Sequence, residues 1–285
     1  MKEHDFIKII EKETKSCYLG DDCAYLKEHG IVTTQDNFVE DVHFKREWMT
    51  PFQIGYKATA VNISDILASG AKPSYLTIGL SLPANTDEEF IKEFYKGVQK
   101  ASLGATVIGG DITASSKIFI SITAIGKTEG RKISSRKNAK IGYVIISCGD
   151  FGKSSKGLEE LKKGIKASDN ISAHLEPRLY PEFSKSIASQ IKTEYAMMDT
   201  SDGLADALFQ IAKSSKVKIN AKDIDGIFGA EDYNLVAAVP KDFLSKLKDF
   251  DIIGTVESFD GTVLKIGDKN FKYYDELNTY NHFEE

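Results

Sequence analysis

Between residues 75 and 102 the hydrophobic period of this chain changes from two to about 3.6, and only a fold that mixes strands with helices accommodates both. Leu76, Ile78, Leu80 and Leu82 alternate with Tyr75, Thr77, Gly79 and Ser81, which predicts a strand with one apolar face. Across residues 87–102, Phe90, Ile91, Phe94, Tyr95, Val98 and Ala101 recur every three or four positions among charges, the apolar stripe of a helix. A short apolar strand is expected at 105–108 and an alternating one at 117–125. There is no strict strand–helix–strand rhythm, so the pattern belongs to the α+β class.

At 285 residues the chain exceeds the usual size of one domain, which favours two, each able to bury its own core. A polar, basic stretch at 127–140 contains Gly130 and divides the chain into 1–130 and 131–285. Beyond it, 142–147 reads as a buried strand, and 156–163, 181–191 and 203–213 read as helices. The tail at 252–274 carries two expected hairpin turns, Asp260-Gly261 and Gly267-Asp268. No internal repeat or low-complexity run is evident.

Lysine and arginine total 37 against 42 aspartates and glutamates, and the net charge of -5 argues against broad nucleic-acid binding, which needs a basic face. A small-molecule partner is the better expectation. Cys17, Cys23 and Cys148 are odd in number and lack C-x-x-C spacing, so neither a disulfide framework nor a zinc site is supported, in keeping with a reducing cytoplasm. The first ten residues mix charges with apolar side chains, and no apolar run reaches the roughly 18 residues that cross a bilayer. Neither export nor membrane insertion is expected.

Apolar runs end repeatedly in aspartate. The pattern occurs as Ile31-Val32-Thr33-Thr34-Gln35-Asp36, as Val107-Ile108-Gly109-Gly110-Asp111, and as Ala196-Met197-Met198-Asp199-Thr200-Ser201-Asp202. Asp21 and Asp22 follow Gly20, and Asp65 falls in a predicted helix with Asn62 three residues before it on the same face. Carboxylates at strand ends can converge in one cleft, where they repel one another unless a cation intervenes. Hard oxygen donors of this kind suit magnesium, which shares the phosphates of its substrates. Taken singly, each aspartate is equally well a turn former or a helix N-cap, and Asp202, just before Gly203, has the position of a cap. Their number favours the metal reading, as do the paired glycines before Asp111, which let backbone N–H groups approach a phosphate.

Gly149-Asp150-Phe151-Gly152-Lys153-Ser154 follows a predicted strand and has the outline of a P-loop, but Ser147 stands where that motif requires its first glycine. Lys153 then reads as a solvated residue at a helix start. His43, beside Phe44, could be a metal ligand, a proton carrier, a substrate contact or simply a packed side chain. Glu231-Asp232-Tyr233 would ordinarily be a turn after Gly229.

As an ordered set, the motifs resemble the thiamine-monophosphate kinases, within the superfamily that includes aminoimidazole ribonucleotide synthetase and selenophosphate synthetase. The resemblance rests on Gly20-Asp21-Asp22-Cys23-Ala24, on Gln35-Asp36-Asn37-Phe38-Val39-Glu40-Asp41-Val42-His43-Phe44, and on the run from Lys57 through Asn62-Ile63-Ser64-Asp65 to Ala71. It continues through Gly109-Gly110-Asp111-Ile112-Thr113, Asp199-Thr200-Ser201-Asp202-Gly203-Leu204, Gly229-Ala230-Glu231-Asp232-Tyr233 and Tyr280-Asn281-His282-Phe283.

The resemblance implies ATP-dependent phosphorylation of thiamine monophosphate to thiamine diphosphate, with several magnesium ions. It implies that Asp22, Asp36, Asp65, Asp111, Asp199 and Asp202 hold metal, with oxygens of Thr34 and Gln35 contributing. It makes Gly110, Asp111, Arg136 and Ser201 nucleotide contacts, and His43 and Glu231 contacts to thiamine phosphate. The implied fold is an N-terminal α+β domain whose sheet pairs across a homodimer, followed by an α/β domain covering the cleft. The chain departs from the family pattern around Arg136, at Ala230 in place of a glycine, and at Leu277, where an aromatic often lies against the thiamine.

The acceptor of such a reaction is already a phosphate monoester, ionised near neutral pH, and needs relief from charge repulsion more than it needs a base. No general base is therefore assigned, and direct transfer is expected. A selenophosphate synthetase would carry a reactive cysteine in a glycine-rich loop, a setting that Cys17 and Cys23 lack. A different ATP-dependent member of the superfamily and a nucleotide-binding regulator without catalysis are the competing readings.

Overall fold

The computed structural model describes residues 3–277; the Tyr280-Asn281-His282-Phe283 motif lies outside them. After helix α1 (Glu3–Thr14) come strands β1 (Ala24–Leu26) and β2 (Ile31–Val39), helix α2 (Pro51–Ala68), strand β3 (Lys72–Leu82), helix α3 (Glu88–Ala101) and strands β4 (Thr106–Ala114) and β5 (Phe119–Lys127). The strands form one sheet in the order β1-β2-β5-β3-β4, in which only β3 and β4 run parallel. The second half contains β6 (Tyr143–Ser147), α4 (Lys153–Lys162), α5 (Asp169–Leu175), α6 (Pro181–Gln190), β7 (Ala196–Asp199), α7 (Leu204–Ser215), β8 (Lys218–Ala221), β9 (Leu235–Pro240), β10 (Asp251–Glu257), β11 (Leu264–Ile266) and β12 (Lys269–Phe271). Its sheet has the order β12-β11-β8-β10-β6-β9-β7.

The period change in the sequence survives as β3 and α3. Asp87 caps α3 by accepting from the Phe90 backbone N–H at 2.8 Å, as a short acceptor before a helix should. Helix α2 is framed by Thr50 and Gln53 in a reciprocal capping box and has Pro51 in its first turn. It lies almost wholly inside the molecule, with Ile54, Ile63, Ile66 and Leu67 shielded from solvent. Each such side chain contributes about 1.5–3 kcal/mol by leaving water. Glycine lets α2 and α3 touch backbone to backbone: a Cβ on Gly55 would sit 2.0 Å from the Phe94 carbonyl oxygen, and one on Gly97 would sit 2.0 Å from that of Phe52.

Strand β6 has both faces buried. Val144 and Ile146 join the core that includes α2 and the first sheet, while Tyr143 and Ile145 join a second core under α7. The first core therefore runs across both sheets, and α2 packs against each of them.

Three expectations need correction. The strand expected to stop at Ile108 runs on to Ala114, because Gly109–Ala114 pairs in parallel with Thr77–Leu82 after a register shift. Gly110 is required there: its φ is +156° and a Cβ would meet the Ile78 carbonyl oxygen at 1.9 Å. Helix α4 starts at Lys153 rather than 156. Gly267-Asp268 does join a hairpin, β11 with β12, but Asp260-Gly261 does not, because β10 lies between β8 and β6 while β11 runs parallel to β8.

Candidate active site

Period two on β2 turns Thr34 and Asp36 toward α2, and α2 presents Asn62 and Asp65 to meet them. The Thr34 hydroxyl donates to Asp65 Oδ2 at 2.6 Å, and the Asn62 side-chain oxygen accepts from the Asp36 backbone N–H at 3.1 Å. On the facing side of α2, Ser64 donates to Asp199 Oδ2 at 2.6 Å, tying the last residue of β7 to the same helix. Asp22 arrives from the loop before β1. Ligand oxygens of Asp22, Asp65 and Asp199 all lie within 4.8 Å of one another.

The electrostatics of this cluster are unbalanced. Burial pushes the Asp65 carboxyl well above the usual range, and the charges of Asp36, Asp199 and Asp22 push it further. Burial and the neighbouring Asp22 raise Asp199 to about 8. Asp36 rises to about 6, mainly through burial, although its hydrogen bond with Asp65 opposes the rise. Asp22 is raised by burial against the pull of Arg136, whose Nη2 donates to Asp22 Oδ1 at 2.7 Å. One guanidinium thus faces Asp22, Asp36, Asp65 and Asp199, and a converging set of hard oxygen donors with excess negative charge fits a divalent cation such as magnesium.

Arg136 is itself tightly held. Asp21 accepts from its backbone N–H and from the Ser135 hydroxyl, each at 2.7 Å, and the Arg136 carbonyl accepts from Ser215 at 2.7 Å. Its Nε is buried without a hydrogen-bond partner among the described residues, which suits a phosphate oxygen better than a protein surface.

A second charged group gathers at Glu231. This residue has φ +61°, and its backbone N–H donates to the Ser201 carbonyl at 2.7 Å. Its Oε2 lies 3.4 Å from Lys57 Nζ and 3.5 Å from His174 Nδ1. His43 lies near enough to Glu231 to lower its proton affinity when the ring is protonated, which places those two candidate substrate contacts in one neighbourhood. The His43 Nδ1 accepts from the Val39 backbone N–H at 3.1 Å, and its ring lies against Phe38. Sequence reasoning misses Lys57 and His174 as site residues. The one signal for Lys57 is its being the only basic residue in a helix of mostly small and apolar residues, whose one other charge is Asp65.

Gln35, Gly110 and Asp111 stand apart from the cluster, whereas Asp202 shares with Asp36 and Asp199 the surroundings of Tyr233. The Gln35 side chain points away from Thr34 and Asp36, bonded to Ser121 and Thr123, so only its backbone oxygen could serve the cluster. Gly110 and Asp111 lie on β4, an exposed edge with β5 and β3 between it and β2. Asp202 does not cap α7, whose cap position is Gly203 with no side-chain bond. The P-loop outline is filled from within, because Asp232 accepts from the Gly152 and Ser154 backbone N–H groups at 2.6 and 3.0 Å. A carboxylate of the chain itself occupies the place a phosphate would take. Leu277 is buried in the α7 core and turned away from solvent.

Residues 20–128 match the family model described as AIR synthase related protein, N-terminal domain. The thiamine-monophosphate kinase of Aquifex aeolicus is 32% identical over 306 residues, spanning 95% of this chain and 98% of that protein. That of Bacillus subtilis is 32% identical over 281 residues, spanning 87% and 86%. The solved structure of AaThiL complexed with AMPPCP and TMP shares 30% identity and a TM-score of 0.87, over 99% of this chain and 97% of that one. Likeness of this extent, running through both sheets and the helix between them, makes the chain a member of the thiamine-monophosphate kinase family.

Proposed function

We propose that this chain transfers the γ-phosphoryl group of ATP to thiamine monophosphate, forming thiamine diphosphate and ADP by direct in-line displacement. The observation that carries the reading is the buried convergence of Asp22, Asp65 and Asp199, with Asp36 beside them and Arg136 as the single guanidinium. Support comes from AaThiL, a relative alike in fold over nearly the whole chain, whose complex holds AMPPCP and TMP.

In this reading Asp22, Asp36, Asp65 and Asp199 hold magnesium, joined by Thr34 and the Gln35 carbonyl, with Asp111 and Asp202 as further ligands. When bound, the ions supply the positive charge that lets an anionic acceptor approach an anionic donor. Arg136 offers its unpartnered Nε to a nucleotide phosphate, alongside Ser201 and Gly110. Glu231 and His43 hold the acceptor. No side chain is needed as a general base, since the acceptor oxygen is ionised near neutral pH.

Residues 1–130 supply most of the cation site and residues 131–285 cover the cleft. The protein works as a homodimer in the cytoplasm. A dimer is supported by β4, an edge strand paired on one side with β3 and, among the described residues, with no strand on the other, on which Val107, Ile108 and Ile112 are exposed, an arrangement that invites pairing with a second copy. The same pairing would bring Gly110 and Asp111, remote from β2 in one chain, beside a neighbouring sheet. The cytoplasmic setting is supported by three free cysteines and by the absence, among the described residues, of a helix long and apolar enough to cross a membrane.

The test is to incubate the protein with ATP, magnesium and thiamine monophosphate and to follow thiamine diphosphate, with free thiamine and acceptor-free controls. Product from the monophosphate alone is the expected result. ATP binding without diphosphate formation would overturn the assignment of the acceptor.

A further inference from the structure

We propose that Lys57 is a positioning residue for the acceptor, a fully buried ammonium that keeps the Glu231 carboxylate ionised and aimed into the site. The inference rests on the kinase reading, which makes Glu231 a contact for a substrate with a permanently cationic thiazolium ring.

The Lys57 side chain is 0% exposed, whereas that of Glu231 is 27% exposed. The ammonium therefore cannot reach solvent, and the carboxylate it approaches can. A buried cation in an apolar helix persists only where paired charge and hydrogen bonds offset the loss of water. Lys57 finds both in one place: Glu231 Oε2 at 3.4 Å and the two ring nitrogens of His174 at 3.5 Å. These partners come from α2, α5 and the loop before β9, so the contact joins three elements of the chain.

The surroundings hold Glu231 in place. Its left-handed backbone is one that few residues other than glycine adopt, and such a conformation persists only when its neighbours fix it. Two anchors do so. On one side its own N–H bonds the Ser201 carbonyl; on the other the adjacent Asp232 is fastened to the start of α4 through Gly152 and Ser154. Ser154 also sets the His174 ring, with its hydroxyl 2.9 Å from Nδ1. The P-loop-like segment thus serves the acceptor end of the site, orienting the imidazole behind Glu231 instead of cradling a phosphate.

The charges facing Glu231 are Lys57 from α2, His174 from α5 and His43 from the turn after β2, with Asp232 and Tyr233 beside it in the chain. Burial would raise the Glu231 carboxyl, but the charge of Lys57, joined by that of His174 only where the ring is protonated, outweighs it and holds the group below its usual range. Burial and Lys57 lower His174 to about 4, so the imidazole is neutral at physiological pH and Lys57 is the cation there; burial lowers Lys57 as well, and the charge and hydrogen bond of Glu231 oppose that fall, so each partner favours the ionised form of the other. When the acceptor displaces water, a carboxylate backed by Lys57 stays charged against the thiazolium.

The decisive variant is Lys57→Met, which keeps the stem and removes the charge. Turnover of thiamine monophosphate by the unaltered protein is measured first; its absence would count against the kinase reading itself. With that activity present, Lys57→Met should raise KM for thiamine monophosphate about tenfold or more, the scale of a lost charge-assisted contact, and leave KM for ATP within about twofold. The acceptor KM should also acquire a dependence on pH near neutrality, falling as pH rises, because Glu231 must now lose a proton to bind the cation. A simple packing role for Lys57 would not produce that profile.

Glu231→Gln and the double variant Lys57→Met/Glu231→Gln complete the cycle and should share one acceptor KM, since Lys57 acts through Glu231. The double variant carries no uncompensated charge and serves if Lys57→Met alone does not fold. An unchanged acceptor KM and pH profile in Lys57→Met, equal rises for both substrates, or a further rise from Glu231→Gln to the double variant would each overturn the proposal.

Discussion

Helix α2 carries buried charge at two places, and the two are balanced in opposite ways. Around Asp65, four carboxylates meet one guanidinium, and burial together with mutual repulsion drives their proton affinities up. Around Lys57, one ammonium meets one carboxylate directly, with a neutral imidazole beside both, and the carboxylate's proton affinity goes down. The first group is complete only with charge brought from outside, as expected of a place that takes up cations and phosphates. The second is complete within the chain, as expected of a prop for a substrate contact. Burial alone therefore does not mark a functional charge; the sign of the imbalance says what must arrive.

The contrast is tested hardest by Asp36→Asn. It should cut turnover by about 10²–10³-fold or more, on the scale of removing one preorganised electrostatic contact, and yet raise the melting temperature of the metal-free protein. Loss of activity accompanied by a fall in metal-free stability would mean that the carboxylates support the fold rather than burden it. At the second group the stability effect should reverse. Lys57→Met leaves Glu231 without its cation and should destabilise by roughly 3–5 kcal/mol, most of which Lys57→Met/Glu231→Gln should restore. Chemical denaturation of the three proteins measures both quantities.

A smaller effect follows from pH. In the absence of metal, Asp36 and Asp199 titrate at about 6 and about 8 in the folded protein, against an ordinary 3.8. At these two groups the folded state binds protons more tightly than the unfolded one, so their contribution to stability is fully present below the ordinary carboxylate range and is lost as pH rises through those two values. Magnesium should flatten the decline, because it replaces the protons. Melting curves in chelator and in magnesium across that range should converge at acid pH and separate at alkaline pH; parallel curves would argue against a cation at the cluster. Ser154→Ala should have the smallest effect, about 1 kcal/mol of stability from one lost hydrogen bond and a modest rise in acceptor KM.

The acidic group is legible in the sequence because its members follow apolar runs, although only Asp199 ends its strand: β2 runs on from Asp36 to Val39, and Asp36 meets the others from within the sheet. Asp36, Asp65 and Asp199 all announce themselves this way or by helical spacing. Lys57 and His174 do not, since a buried ion pair depends on elements far apart in the chain and leaves no local period. The hairpin expected at Asp260-Gly261 fails for a related reason. The turn chemistry is sound, but β10 finds its partners in β6 and β8 rather than in the next strand. The paired glycines at 109–110 read as room for a phosphate, whereas Gly110 lets β4 lie against β3 without a Cβ in the way and Gly109 faces open space.

Helix α2 also acts as a gauge. Seven residues separate Lys57, which holds Glu231, from Ser64, which holds Asp199, and seven residues are almost two whole turns, roughly 10 Å along the axis. Both side chains accordingly point the same way. Locked at one end by its capping box and against α3 at Gly55, the rod has little freedom to lengthen or rotate. Inserting one residue between Lys57 and Ser64 would turn the two ends by about 100° relative to each other, so that whichever pairing formed, its counterpart would be lost. In the proposed reaction, with Glu231 at the cationic ring and Asp199 toward the phosphates, the spacing between the two ends of the acceptor would be set in helical turns, a length requirement that no single contact could impose.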